Sequence, residues 1–107
     1  MLIATLKIMA APTRRDEVMR VVRSLHGPLG AEYDCSSSRL YQDVEDEGAF
    51  LWVQEWSSKS MLHRFVASSD YVKVLELMEL STYPPELKFH YIAGTSGLDT
   101  VLSVRES

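Results

Sequence analysis

The chain is predicted to fold as a two-layer α+β structure with the element order β-α-β-β-α-β, a four-stranded antiparallel sheet carrying its helices on one face. Three observations lead there. Strand-like alternation opens the chain and returns in an aromatic-rich run near its middle, valines and a leucine recur at helical spacing between them, and a second helical stretch precedes a last alternating run. With 107 residues, positions 1–107 are expected to form a single domain, because two halves would each bury too little to hold a core.

Leu2 to Met9 sets Leu2, Ala4, Leu6 and Ile8 against Ile3, Thr5, Lys7 and Met9, and Ala11-Pro12 bounds it, as befits a strand apolar on much of both faces. Thr13 with Asp16 three residues on is a weak capping box. Val18, Val21, Val22 and Leu25 then follow at i, i+3, i+4 and i+7. This helix is expected to stop at Gly27-Pro28. A second strand is read from about Glu32 to Asp43, and the acidic connector Glu45-Asp46-Glu47-Gly48 suggests a hairpin into the third. Phe50, Trp52, Gln54 and Trp56 share one face of that third strand, and Leu51, Val53 and Glu55 the other.

Ser57 or Ser58 is placed to cap a helix holding Met61, Leu62, Phe65 and Val66. Ser68-Ser69-Asp70 signals a second start before Tyr71, Val74, Leu75 and Met78, so the region reads as two short helices or one broken one. Pro84-Pro85 ends it, and Leu87, Phe89 and Tyr91 alternate with Lys88, His90 and Ile92 as the last strand. The tail from Gly97 is read as a helix through Leu98, Val101, Leu102 and Arg105, with an extended segment as the alternative. The whole is the split βαβ, or ferredoxin-like, arrangement.

Helices on one face leave the other open, although two of the strands are apolar on both. A twofold homodimer stacking sheet on sheet would bury that surface; the alternative is that the C-terminal tail covers it. A composition 46% hydrophobic and 24% charged is that of a globular chain, and a net charge of -4 gives no electrostatic reason to approach nucleic acid or anionic lipid. The one cysteine, Cys35, cannot make an intrachain disulfide, and the first residues run apolar then charged, the reverse of a secretory signal, so the expected compartment is cytoplasmic. No apolar run approaches the roughly 20 residues of a membrane span.

Residues 40–65, LYQDVEDEGAFLWVQEWSSKSMLHRF, with Ser69-Asp70-Tyr71 and the later PPELKFHYIAGTSG, resemble the antibiotic biosynthesis monooxygenase domain family, its quinol monooxygenases among them. The likeness rests on a strand ending in Glu55-Trp56, the Ser/Lys turn after it and His63 in the next helix, and it extends over nearly the whole chain. It implies a dimeric α/β barrel with a ferredoxin-like protomer. It also implies a reaction in which a dihydroxyarene meets O2 without flavin or metal, so that no cofactor is expected. Where the family commonly has Gly-Cys, this chain has Asp34-Cys35. The related haem-degrading branch needs an Asn on the first strand and an axial His; the matching positions here are Ala4 or Thr5 and the vicinity of Glu76, with His63 at the branch's Trp, which disfavours haem degradation.

Within this reading His63 is the candidate catalytic base, since an imidazole titrates near neutrality and can take a phenolic proton. Trp56 and Trp52 are candidate walls for an aromatic substrate, Tyr71 and Tyr41 candidate phenolic donors, and His90 a further substrate-binding candidate. Each also has a plain structural role open to it, as core aromatic, satisfied tyrosine or surface histidine. His26, His63 and His90 lie on separate elements with no paired spacing, so no metal site is expected, and no glycine-rich nucleotide motif or nucleophile elbow occurs. Two functions follow: a cofactor-independent monooxygenase acting on a quinol or polyphenol with O2, or a non-catalytic small-molecule-binding or structural dimer of the same fold.

Overall fold

The computed structural model describes residues 1–107. Strands β1 (Leu2–Met9), β2 (Cys35–Gln42), β3 (Ala49–Trp56) and β4 (Glu86–Tyr91) form one antiparallel sheet in the order β2-β3-β1-β4. Helices α1 (Arg15–Tyr33), α2 (Lys59–Val66), α3 (Tyr71–Glu79) and α4 (Leu98–Glu106) complete it, with a short 3-10 turn at Pro12–Arg14. This is the ferredoxin-like α+β order, with the second helical region divided in two and a helical tail added.

The register explains the core. Leu2, Ala4, Leu6 and Ile8 of β1 stand opposite Trp56, Gln54, Trp52 and Phe50 of β3, and all eight are buried under the helices. Small or branched residues on one strand thus make room for large ones on the other. On the opposite face Ile3, Met9, Leu51 and Val53 are only half-buried.

Helix α1 does not stop at Gly27-Pro28 but runs through to Tyr33. Pro28 deletes one helical N–H and costs about 3 kcal/mol inside a helix. Beyond it, however, Leu29 and Tyr33 extend the stripe of Val18, Val22 and Leu25, and both are buried. Two such side chains contribute about 1.5–3 kcal/mol each, which offsets the proline. Gly27 eases the junction, since the residue before a proline is crowded chiefly through its Cβ, and nothing else lies near that position. The helix ends where Asp34 turns left-handed at φ 56° and its N–H reaches the Leu29 carbonyl. The second strand accordingly begins at Cys35 rather than Glu32, and Tyr33 belongs to the helix. Thr13 lies in the 3-10 turn and does not cap α1, which keeps only Asp16 and Glu17 in its first turn.

Ser58 does cap α2, accepting from the Met61 N–H at 3.3 Å. Asp70 makes no such cap for α3; its carboxylate instead accepts from the Tyr33 hydroxyl at 2.8 Å. That bond ties the end of α1 to the start of α3. Between them sits Phe65 of α2, wholly buried, with ring centroids 5.1 Å from Tyr33, 5.8 Å from Trp56 and 5.2 Å from Tyr71.

The β2–β3 connection is closed by Asp43, whose Oδ1 accepts from the N–H groups of Glu45 and Asp46. Gly48 then passes against β1, its carbonyl accepting from the Ala10 N–H at 2.7 Å. A Cβ at this position would lie 2.7 Å from the Ala10 carbonyl oxygen. Gly48→Ala is therefore expected to destabilise the fold by about 1–3 kcal/mol through overpacking against backbone, measured as a lowered urea midpoint. An unchanged midpoint would show that the hairpin can swing clear of β1.

The tail forms the expected helix but covers nothing. No residue of α4 is buried, and Leu98, Val101, Leu102 and Val104 all face outward. The radius of gyration, 15.9 Å, exceeds the roughly 13 Å of a well-packed chain of this length, as a projecting end requires. The half-buried apolar face of the sheet therefore has no cover from its own tail.

Candidate functional site

Between the sheet and α3 lies a hollow walled by Trp52 and Gln54 of β3, Tyr71 and Val74 of α3, and Leu87 and Phe89 of β4. The structure thus brings together Trp52 and Tyr71, two of the residues singled out from sequence. Its remaining free volume is only about 10 Å³, room for one water. Phe89, on edge strand β4, is 39% exposed and forms the outer rim.

The lining is mostly apolar, with Thr5, Gln54 and Tyr71 carrying hydroxyl or amide groups. Gln54 is buried and its Oε1 accepts from the Trp56 indole N–H at 3.1 Å. Because an indole N–H can only donate, the amide must turn its oxygen that way, which leaves the Gln54 NH2 without a protein acceptor. Tyr71 also donates to no protein group, and burial pushes its phenol above the usual tyrosine range, so the hydroxyl stays protonated. Two donors without protein partners therefore stand beside an indole face, neither of them wholly sealed from solvent. Such a pair suits a phenolate or developing oxyanion, and nothing in the lining can act as a base near neutral pH.

The other sequence candidates stand apart. Trp56 is fully buried and stacks on Phe65 with an interplanar angle of 28°, so it holds Gln54 rather than lining the hollow. His63 is exposed on α2 and makes no hydrogen bond through its ring. Tyr41 and His90 are exposed on the two edge strands, their registers against Leu51 and Ile3 placing them on the uncovered face of the sheet. Gln54 is the residue sequence reading passed over. Its signal was available, a lone amide between two tryptophans on a face otherwise wholly apolar.

Behind Trp52 the site continues into a hydrogen-bonded chain. Its indole N–H donates to Ser38 Oγ at 2.8 Å, and Ser38 Oγ lies 2.9 Å from His26 Nδ1. Burial first, then the nearby Arg39 and Arg23, hold the His26 imidazole below its ordinary pKa. Cys35, at the start of β2, is buried at a bulge with its thiol directed to the Ser37 and Glu55 carbonyls, and desolvation raises it above the usual thiol range. It is not an activated nucleophile.

A four-stranded antiparallel sheet in the order β2-β3-β1-β4 with helices on one face defines a ferredoxin-like α+β protein. No helix is long and apolar enough to cross a membrane. The model of the antibiotic biosynthesis monooxygenase family matches residues 1–77, and the chain belongs to that family. Among solved structures it is similar to an antibiotic biosynthesis monooxygenase with 20% identity and a TM-score of 0.74, over 88% of this chain and 100% of the other. It is similar also to Rv0793 of Mycobacterium tuberculosis, with 20% identity and a TM-score of 0.76 over 90% and 98%. PA3566 of Pseudomonas aeruginosa shows 24% identity and a TM-score of 0.70 over 87% and 94%. At these identities the likenesses establish the fold. No curated protein matches the chain.

Proposed function

We propose that the protein is a homodimeric, cofactor-independent monooxygenase that oxygenates a quinol or polyphenol held between the sheet and α3. The observation that carries this reading is the pair of free donors, the Gln54 amide and the Tyr71 hydroxyl, facing an aromatic-walled hollow in a chain of this family. A phenolate oxygen bound to both would be stabilised by two donors, with Trp52 and Phe89 against the ring. The overall change balances without a second reductant. Hydroquinone and O2 give hydroxyquinone and water, one oxygen atom entering the ring and the other leaving with two hydrogens.

Admitting a ring requires β4 and α3 to part. Strand β4 is suited to this, since within the sheet it pairs with β1 alone. His63 is retained as the candidate base, acting from the exposed side of α2. In a twofold dimer Tyr41 and His90 would face the second copy, and the half-buried Ile3, Leu51 and Val53 would meet their counterparts. A cytoplasmic location is part of the same proposal.

The nearly filled hollow favours the second reading, a dimer of this fold that binds a small molecule without turning it over. Oxygen uptake with a series of hydroquinones separates the two. The oxygenase reading expects consumption above the uncatalysed rate, with Tyr71→Phe lowering kcat by about a hundredfold if its donor meets the transition state. A loss of about a hundredfold or more in His63→Ala would assign the base, and unchanged turnover would remove His63 from the mechanism. No uptake across the series leaves the binding reading.

A further inference from the structure

A cleft of about 580 Å³, much larger than the hollow, separates α1 from edge strand β2. Its volume falls within the range typical of small-molecule sites, roughly 300–1,000 Å³. Met19, Leu29, Leu40 and Phe50 supply apolar wall, while Arg23, His26 and Arg39 bring cationic or donating groups to the same space. No aspartate or glutamate lines it, although acids outnumber bases in the chain by 15 to 11.

Most basic side chains of the protein have no ion-pair partner, and the two arginines of the cleft are among them. Arg14 pairs with Glu17 at 2.8 Å, Arg15 with Glu47 at 3.2 Å and Lys7 with Glu86 at 3.5 Å, whereas neither Arg23 nor Arg39 has a carboxylate within ion-pair distance. Both nonetheless lie close enough to His26 to disfavour its protonation. Two guanidiniums near one imidazole favour its neutral form, and no acid of either element offsets their charge. The arrangement is complementary to a negative charge supplied from outside.

His26 is oriented for the same task. Ser38 Oγ already accepts from Trp52, so its own hydrogen can go to His26 Nδ1, which leaves the neutral ring carrying its proton on Nε2. We propose that this cleft binds a small organic anion with a flat apolar body, its charge paired by Arg23 and Arg39, its polar end reached by His26, and its body laid against Met19 and Leu40. An aryl carboxylate has this chemistry: arginine forks suit the carboxylate and the wall suits the ring. The site is separate from the sheet–α3 hollow and does not rest on the oxygenase reading. Trp52 stands between the two, with its ring on one and its N–H chained to the other.

The test is an NMR titration of the full chain, labelled with 15N at its two indoles, using benzoate and the neutral benzyl alcohol as probes. Benzoate is expected to give a saturable shift of the Trp52 indole N–H, while that of Trp56, bonded to Gln54, stays in place. Arg23→Gln and Arg39→Gln are each expected to weaken binding about tenfold or more, the usual loss for a hydrogen bond to a charged group. Arg20→Gln makes the same charge change on α1 outside the cleft and is expected to leave affinity unchanged. Absence of a saturable shift would overturn the proposal, as would equal binding of benzyl alcohol or equal weakening by Arg20→Gln. Inorganic phosphate binding as tightly as benzoate would overturn the role of the apolar wall.

Discussion

Replacing Phe65 by alanine is expected to destabilise the protein by about 3–5 kcal/mol, the cost of emptying a large aromatic site in a close-packed core. The Phe65 ring meets Tyr33 of α1, Trp56 of β3 and Tyr71 of α3, so its loss loosens the layer contact on three sides. Against a total stability of about 5–15 kcal/mol, that is a large share. The thermal midpoint is expected to fall by roughly 15–30 °C. Phe65→Leu, which keeps much of the volume, should recover part of it. A change below about 1 kcal/mol would mean that the aromatic cluster is not the centre of the fold.

The second large effect concerns assembly. Val53 lies mid-strand on the uncovered face, with Thr5 and Arg39 as its neighbours across β1 and β2. If two copies stack through this face, Val53→Lys puts an ammonium into the apolar contact, and a buried charge left unpaired costs about 3–5 kcal/mol. The dimer dissociation constant is then expected to rise a hundredfold or more. Sedimentation equilibrium measures it directly. A wild-type chain monomeric at micromolar concentration would contradict the dimer, and a dimer indifferent to Val53→Lys would place the interface elsewhere, the exposed stripe of α4 being the next surface to examine.

What the sequence made legible is largely what depends on local period. Alternation through Phe50, Trp52, Gln54 and Trp56 identified a strand and the residues that share each face, because a period of two survives any tertiary context, while which face the helices cover was not legible. The end of α1 was misjudged for the opposite reason. Pro28 is a strong local signal, but the stripe resumes at Leu29 and Tyr33, and burial outweighed the proline. The site was harder still. Trp52 and Tyr71 meet only because α3 packs across β3, and the chain from Trp52 through Ser38 to His26 depends on how β2 is registered against α1. His63 and His90 drew attention as titratable groups, yet titratability says nothing of direction, and both side chains are exposed. Tyr71 stood out as a phenolic donor from sequence, whereas Gln54, uncharged between two tryptophans, becomes notable once its amide is seen to face the same space.

The proposed reaction joins O2 and a quinol in the hollow between the sheet and α3, without help from a cofactor. The most direct measurement is mass spectrometry of a promptly quenched reaction under 18O2, with chelator-treated, flavin-free protein and hydroquinone as substrate. The account predicts hydroxyquinone carrying one 18O atom, formed faster than without protein and suppressed by Tyr71→Phe. Unlabelled product, or labelled product at the uncatalysed rate, would contradict it.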